Sequence, residues 1–377
     1  MSSREFFGSG SVSHIRNILK DRNARNVFLV IDKDSFLVSG AQTALSPLIE
    51  GTELVSFSEF SPNPKIEDVR RGIAVMKDVE PDVVIAVGGG SVIDMAKLIN
   101  ILTAQSGDSL QIIKDNGPFR RQGRPLVAIP TTAGTGSEAT QFAVVYVNDV
   151  KYSLAHQFII PDYAIVDPTL TYKMPPMLTA VTGFDALSQA IESYWSVGST
   201  QKSKSYASQA IQLIMKSIKN AVHHPNREAR RKMAYAANLA GKAINISKTT
   251  APHAVSYALT TYFGIPHGHA VALTLGKFFV INGASENVHI NDKRGKEYLK
   301  KTMNDLCKLV GGSNPVECSD ILYALMEDIG LEFSLRKLGI YRKENIERIV
   351  SNVNLDRLSN NPVIITKEML LRVLTSL

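Results

Sequence analysis

The chain has 377 residues, which is long enough for two domains with separate hydrophobic cores. A hydrophobic content of 44% and a charged content of 20% are typical of a soluble globular protein. The chain starts without a signal-peptide pattern, has no apolar run of about 18 residues that could span a membrane, and has only two cysteines, so we expect a cytoplasmic protein.

The net charge of +7 and the pI of about 9.2 would suit an anionic partner. A nucleic-acid-binding surface would require a long basic run with interleaved aromatic residues, and the sequence has none. We therefore expect no nucleic acid, and a small anionic substrate is compatible with the charge.

The first half of the chain alternates predicted strands with predicted helices. Short apolar runs predict strands at residues 27–31, 54–57, 82–87 and 125–129, and residues 66–79 have helical spacing. This alternation predicts an α/β fold with a doubly wound parallel sheet. Ligands of such sheets bind at the carboxyl ends of the strands.

A glycine-rich segment follows the strand at residues 82–87. Gly88, Gly89 and Gly90 let a ligand approach the backbone closely, and Ser91 is a good N-cap for the helix that follows. The start of that helix would direct N–H groups and its positive dipole end at an anion. The segment predicts a pyrophosphate site, although it lacks the GxGxxG pattern; a flexible turn is the alternative.

Two further features of this half favour a dinucleotide. Asp32 ends the first strand, where an acid binds ribose hydroxyls and repels a 2′-phosphate, which favours NAD(H) over NADP(H); capping of a turn is the alternative. Residues 129–138 form a second loop rich in glycine and hydroxyl groups, which is either a cofactor cradle or a polar surface loop.

Strand patterns stop after residue 168 and helical patterns replace them, so we place a domain boundary near residue 172. The predicted domains are an α/β dinucleotide-binding domain at residues 1–172 and an all-helical metal-binding domain at residues 173–377. His253 lies on a predicted helix, and a Gly-Ile-Pro turn returns the chain to His267. Two imidazoles can thus be directed at one point, and imidazole is a common ligand of Zn and Fe.

The motifs GGGSVIDMAK at residues 88–97 and IPTTAGTGSEAT at residues 129–140 resemble those of the iron-containing (group III) alcohol dehydrogenases. The resemblance extends over most of the chain to about residue 285 and implies dinucleotide binding, a divalent metal (Fe2+ or Zn2+), an aldehyde or alcohol substrate and a homodimer. The cofactor-binding candidates are Asp32, Asn63, Gly88, Gly89, Gly90, Ser91, Asp94, Lys97, Thr131, Thr132, Thr135, Ser137 and Lys151.

The resemblance also implies a metal site at Asp185, residue 189, His253 and His267. Members of the family carry His at the second of these positions, whereas this chain carries Gln189. An amide is a poorer donor than an imidazole, so we expect weaker metal binding, or a site of three ligands with Gln189 turned toward the substrate. A third alternative is that Gln189 only fills the space of a lost ligand.

Catalytic candidates lie on either side of the metal histidines. Many family members have His where this chain has Tyr257, at a position implicated in proton relay, and His269 is an alternative relay; Tyr257 could equally be core packing. Lys248 and two threonines precede His253, which would suit a phosphate or phosphonate group. The run resembles the phosphonoacetaldehyde reductase branch; a solvated helix-end lysine is the alternative.

These features together predict metal-assisted, NAD(P)H-dependent reduction of a small aldehyde to a primary alcohol, in a cleft between the two domains. The expected substrate is anionic, such as phosphonoacetaldehyde, with 2-hydroxyethylphosphonate as its product. One alternative is a lyase similar to dehydroquinate synthase, which would return NAD unchanged. Another is a non-catalytic relative that binds nucleotide at a decayed metal site.

Overall fold

The structure is a computed structural model that describes residues 3–148, 150–284 and 288–377. The chain divides into two compact units, Met1–Met174 and Pro175–Leu377. No helix in the described residues combines the length and the apolar character that a membrane crossing requires.

The first unit contains a six-stranded parallel sheet in the order β1-β8-β5-β4-β2-β3. Its strands are β1 Arg4–Phe7, β2 Asn26–Ile31, β3 Glu53–Phe57, β4 Val83–Gly88, β5 Leu126–Pro130 and β8 Tyr163–Val166. In the centre of the sheet Leu29 is paired with Ile85, and Ile85 with Val127. The central strands are buried along almost their whole length, as expected of a parallel sheet covered on both faces.

Helices cover both faces of this sheet. They are α1 His14–Asp21, α2 Lys33–Val38, α3 Ala41–Leu45, α4 Ile66–Val79, α5 Gly90–Thr103 and α6 Ser109–Lys114. Successive strand residues point to opposite faces, so Phe28 and Val84 pack with α4 and α5, whereas Leu29 and Ile85 pack with α1 to α3. This doubly wound arrangement confirms the predicted fold class.

A two-stranded antiparallel hairpin, β6 Phe142–Val147 and β7 Val150–Ala155, was not predicted from the sequence. Ala143, Val145 and Val147 are buried at alternate positions of β6 and join the core beneath α5. The hairpin thus extends the core on the face that carries the glycine-rich segment.

The second unit is helical, as predicted. Its helices are α7 Pro176–Trp195, α8 Gln201–His223, α9 Arg227–Ser247, α10 Ala251–Phe263, α11 His267–Gly283, α12 Lys296–Val310, α13 Pro315–Asp328, α14 Lys343–Ser351, α15 Leu355–Leu358 and α16 Lys367–Thr375. Helix α7 is buried along almost its whole length and packs against α8, α9 and α11. Polar side chains on such a helix need partners inside the protein.

Candidate functional site

Helix α7 carries three buried polar residues on one face. Asp185, Gln189 and Glu192 are separated by four and three positions, which places them on adjacent turns of the same side. All three are at most 3% exposed. Buried groups of this kind are retained only with partners, so the neighbours of this face define a site.

The two predicted metal histidines reach this face from consecutive helices. His253 is the third residue of α10, which ends at Gly264 in a left-handed conformation (φ 68°), and His267 is the first residue of α11. The ring centroids of the two histidines are 5.3 Å apart, at an interplanar angle of 72°. The tight turn therefore returns the second imidazole beside the first, as the spacing predicts.

Asp185, His253 and His267 each offer one ligand atom, and these atoms all lie within 4.8 Å of one another. His253 Nε2 is 3.5 Å from Asp185 Oδ1. A Cβ added at Gly268 would lie 2.1 Å from the Val181 carbonyl oxygen. Glycine at this position thus allows α11 to approach α7 closely enough to hold His267 beside Asp185.

Gln189 contacts this cluster through its amide. Its Nε2 donates to Asp185 Oδ2 at 3.2 Å, so the carbonyl oxygen is the free end of the side chain. In the described part of the chain neither Gln189 Oε1 nor Asp185 Oδ1 has a hydrogen-bond partner, although both atoms are buried. Two unsatisfied buried oxygens beside two imidazoles form a donor set that fits a divalent metal such as Fe2+ or Zn2+.

Glu192 is the residue of this site to which the sequence assigned no role. It is fully buried, its Oε1 accepts a short hydrogen bond from His253 Nδ1, and its Oε2 accepts from the Thr250 N–H at 2.7 Å and the Thr250 hydroxyl at 2.9 Å. It therefore caps the start of α10 and fixes the ring of His253 with Nε2 toward Asp185. Such a carboxylate–histidine pair orients metal ligands in many proteins.

The charges of the cluster shift its proton affinities. Burial alone would lower the pKa of His253, but the carboxylates of Glu192 and Asp185 raise it to about 10. Burial alone would raise the pKa of Asp185, but the imidazoles of His253 and His267 hold it below its usual value. In the metal-free protein at neutral pH, His253 is therefore a cation and Asp185 an anion.

Metal binding is expected to release the proton of His253, because only a neutral imidazole nitrogen can ligate a metal. Since the pKa lies near 10, the affinity should rise by about tenfold per pH unit between about pH 7 and about pH 9. Titration calorimetry in buffers of different ionisation enthalpy would measure the released proton. Binding without proton release over this range would mean that His253 is already neutral.

The catalytic candidates occupy different surroundings. Tyr257 is half-buried, and its ring lies nearly parallel to that of His267, with centroids 6.1 Å apart. His269 is buried, and its Nε2 lies 2.5 Å from the Glu332 carbonyl oxygen, so this nitrogen carries a proton and donates it there. The structure brings Tyr257 to the metal histidines, whereas one nitrogen of His269 is occupied elsewhere.

Lys248 is exposed at the end of α9, in a backbone conformation with a positive φ of 60° and a ψ of 177°. Asn360 holds the turn around it, because its Nδ2 donates to the carbonyl oxygens of Ser247 at 2.8 Å and Thr249 at 2.9 Å. Two residues later this turn reaches Thr250, which Glu192 binds. The lysine is thus carried on an anchored turn that leads directly into α10.

In the first unit, the glycine-rich segment and the second loop lie against each other. A Cβ added at Gly90 would lie 2.7 Å from the side chain of Thr135, and one at Gly89 would lie 3.4 Å from that of Thr132. The two loops follow the neighbouring strands β4 and β5, whose carboxyl ends adjoin. The predicted cofactor segments therefore form one continuous surface at the end of the sheet.

The expected N-cap at Ser91 was wrong. The N-cap is Gly89, two residues earlier, and α5 begins at Gly90, because the carbonyl of the extended Gly89 already accepts from the N–H groups of Val92 and Ile93. Ser91 lies in the first turn, where its hydroxyl accepts from the Asn63 N–H at 3.3 Å. Asn63 itself adopts a left-handed conformation (φ 63°), which asparagine tolerates.

Asp94 and Lys97 point into the protein. Asp94 accepts from the Ser137 hydroxyl at 2.6 Å and from the Val144 N–H at 3.0 Å, and Lys97 Nζ donates to the carbonyl oxygens of Ser137, Thr140 and Phe142. Burial raises the pKa of Asp94 and lowers that of Lys97 to about 8. Both residues fasten the second loop and β6 to α5, and their direct contact with a dinucleotide stays a prediction.

The remaining cofactor candidates are spread around this surface. Asp32 caps α2 by accepting from the Ser35 N–H at 2.8 Å, as the capping alternative predicts. Its carboxylate is nevertheless exposed to solvent. Thr131 follows β5 directly, and its hydroxyl is buried without a hydrogen-bond partner among the described residues. Lys151 is half-buried on β7 and lowers the pKa of Asp94 slightly, against the larger effect of burial.

Known proteins resemble both units. Residues 2–168 match the sequence model of the iron-containing alcohol dehydrogenases, and residues 179–377 match that of the C-terminal part of the Fe-containing alcohol dehydrogenase family. Long-chain-alcohol dehydrogenase 1 of Geobacillus thermodenitrificans is 31% identical over 345 residues, which cover 88% of this chain and 84% of the relative. An NADPH-dependent butanol dehydrogenase of Clostridium saccharobutylicum is 33% identical over 349 residues, covering 90% and 86%.

Among solved structures, the crystal structure of sulfoacetaldehyde reductase from Bifidobacterium kashiwanohense in complex with NAD+ is similar, with a TM-score of 0.89 and 33% identity. The similarity covers 100% of this chain and 96% of that chain. Among these similar proteins, the butanol dehydrogenase is NADPH-dependent and the sulfoacetaldehyde reductase is in complex with NAD+.

Proposed function

We propose that this chain, which belongs to the iron-containing alcohol dehydrogenase family, reduces a small anionic aldehyde to a primary alcohol. As a member of this family it is an NAD(P)-dependent alcohol dehydrogenase or aldehyde reductase. The observation that carries this proposal is the buried cluster of Asp185, His253 and His267. We assign dinucleotide binding to residues 1–172 and metal binding to residues 173–377. A homodimer and a cytoplasmic location stay predictions.

In this proposal Asp185, His253 and His267 hold the metal, and Gln189 offers its free amide oxygen as a fourth donor. When bound, the metal supplies Lewis acidity to the aldehyde oxygen, and the dinucleotide supplies the hydride. Tyr257 is the better candidate to donate the proton to the product oxygen, because it stacks beside His267 while His269 donates to a backbone carbonyl.

We propose NADH rather than NADPH as the reductant. Asp32 lies directly after β2, at the carboxyl end of the sheet, and its carboxylate is exposed. A carboxylate at this position accepts hydrogen bonds from ribose hydroxyls and repels a 2′-phosphate.

Lys248 supports an anionic substrate. Its ammonium is exposed on a turn anchored by Asn360, two residues before the N-cap of α10 and five before His253. A sulfonate and a phosphonate are both tetrahedral oxyanions that an ammonium group binds, and the name of the similar solved structure refers to an aldehyde with a sulfonate. Phosphonoacetaldehyde is the substrate that we propose, with 2-hydroxyethylphosphonate as the product.

The test is net NADH oxidation, followed by absorbance, with phosphonoacetaldehyde, sulfoacetaldehyde and uncharged propanal, each with added Fe2+ or Zn2+ and with a chelator. We expect metal-dependent turnover, faster with NADH than with NADPH, and a higher kcat/KM for the two anions. Lys248→Met should lower kcat/KM for the anions by about tenfold or more and leave propanal unchanged, because only the anions lose a charge-assisted hydrogen bond.

Propanal serves as the internal control, and Lys202→Met is a matched loss of charge at another exposed lysine. Equal turnover of all three aldehydes would remove the anionic substrate while retaining the dehydrogenase. Binding of NADH without its net oxidation by any aldehyde would contradict the proposed reaction itself.

A further inference from the structure

The second unit contains a pocket whose residues are all different from those of the metal cluster. It has a volume of about 320 Å³ and lies between the first turns of α8 and those of α12, with Tyr194 of α7 at its side. Volumes of this size are at the lower end for small-molecule sites. The pocket is therefore suited to a small metabolite rather than to a dinucleotide.

Lys204 lines this pocket and contributes a positive charge to it. Its ammonium lies 4.7 Å from the ring centroid of Tyr194 and 4.4 Å from that of Tyr298, and it donates to the Thr302 hydroxyl at 2.8 Å. The side chain is half-buried, and burial lowers its pKa. The surrounding protein thus holds a partly desolvated cation in one position.

No carboxylate within the described residues forms an ion pair with Lys204. The other charges nearby are matched, since Lys301 pairs with Asp305 at 2.8 Å and Arg294 is bound to Asp292. The lining of the pocket thus contains two lysines, Lys204 and Lys301, and one carboxylate, Asp305, which leaves one positive charge in excess. An anion in the pocket would balance this excess charge.

The polar groups around this charge are of both kinds, because the hydroxyls of Ser205 and Ser208 can donate, whereas the Asp305 carboxylate, which is paired with Lys301, only accepts. Ser205 and Ser208 follow Lys204 on the same face of α8, and both line the pocket. They are the fifth and eighth residues of the 23-residue helix α8. An ammonium and hydroxyl groups can together bind a tetrahedral oxyanion such as a phosphate group.

We propose that this pocket binds a small metabolite through its phosphate group, with Lys204 as the main anchor and Ser205 and Ser208 as additional donors. The site is separate from the reaction at Asp185, His253 and His267 and does not depend on the identity of the aldehyde.

The experiment is titration calorimetry of the metal-loaded protein with inorganic phosphate and with glycerol phosphate, in saturating NADH so that the glycine-rich segment is occupied. The wild type should show saturable binding, and Lys204→Met should weaken it by about tenfold or more through loss of a charge-assisted hydrogen bond. Lys202→Met is the matched control, because Lys202 is an exposed lysine of the same helix outside the pocket. Its affinity should equal that of the wild type.

Two further variants make the result specific. Ser208→Leu fills the pocket without removing any contact of Lys204 and should also abolish binding, which guards against a folding defect in Lys204→Met. Lys248→Met should retain binding, because that lysine lies outside the pocket. Absence of phosphate binding to the wild type, or equal binding to wild type and Lys204→Met, would overturn the proposal; loss of binding only in Lys248→Met would place the anion at the other site.

Discussion

Replacement of His267 by alanine is expected to release the bound metal and to reduce aldehyde reduction by at least about a thousandfold, since a Lewis acid contributes several kcal/mol to such a reaction. The variant retains Asp185 and His253, but it loses one of the two imidazoles in the cluster. His267 is half-buried at the first position of α11, so its removal should leave the helix folded. Metal content of the purified protein and kcat/KM measure the two effects.

The chain offers a matched control for this experiment. His269 lies two positions further along α11, is buried, and donates to the Glu332 carbonyl rather than joining the cluster. His269→Gln preserves a donor for that carbonyl and should retain the metal. Full metal content in His267→Ala, or an equal loss in both variants, would contradict the assignment of His267 as a ligand.

The central sheet was predictable because its strands carry their own signal. Residues 27–31 and 83–87 are continuous apolar runs, and a strand covered by helices on both faces needs such a run whatever its partners. The strand β1, Arg4–Phe7, has no such signal, because its first two residues are exposed. Its place is set by pairing with β8, more than 150 residues away, and pairing over this distance leaves no local pattern.

The hairpin of β6 and β7 was missed for a related reason. Phe142–Val147 alternates buried and half-buried residues, which a search for alternation could have found. Its partner, Val150–Ala155, contains Lys151 and has only one fully buried residue. Antiparallel pairing with β6 makes this polar segment a strand, so it could be recognised only together with its neighbour.

Some features of the candidate site could likewise be predicted from the sequence, and others could not. The positions of Asp185, His253 and His267 were available from motif resemblance, and the helix–turn–helix spacing brings the two histidines together. The orientation of Gln189 could not be predicted from the sequence, because the contact with Asp185 Oδ2 decides which end of its amide is free. The burial of Lys97 was equally inaccessible, since residues from the second loop and β6 supply the oxygens around it.

Glu192 shows what a sequence pattern can and cannot supply. Its position on the same face of α7 as Asp185 and Gln189 was visible, and a buried Glu on a helix needs a partner. The partner is set by the turn that ends α9, which brings Thr250 and His253 over the carboxylate. Its role therefore follows from the packing of α10 on α7.

Two substitutions of Glu192 are expected to separate its effects on the metal from its effects on folding. Glu192→Gln keeps one oxygen that can accept from Thr250, but it turns an amide NH2 toward His253 Nδ1 and removes the negative charge. The metal affinity should therefore fall by about 10- to 100-fold, while the cap of α10 is retained and the melting temperature falls less than in Glu192→Ala. Glu192→Ala leaves three buried donors without an acceptor, each costing about 1–3 kcal/mol, and should lower the free energy of unfolding by several kcal/mol. Metal titration and thermal unfolding measure these two quantities.

Ser193→Ala provides the control for both variants, because Ser193 is the next residue of α7, is equally buried, and accepts from the Ser247 hydroxyl at 2.7 Å. It should bind the metal as tightly as the wild type does. If Glu192→Gln also binds the metal with unchanged affinity, the carboxylate serves only as the cap of α10, and the orientation of His253 must come from Asp185 and the helix itself. If the affinity falls as expected, Glu192 positions the ligand, and the metal site consists of the cluster together with the buried charge behind it.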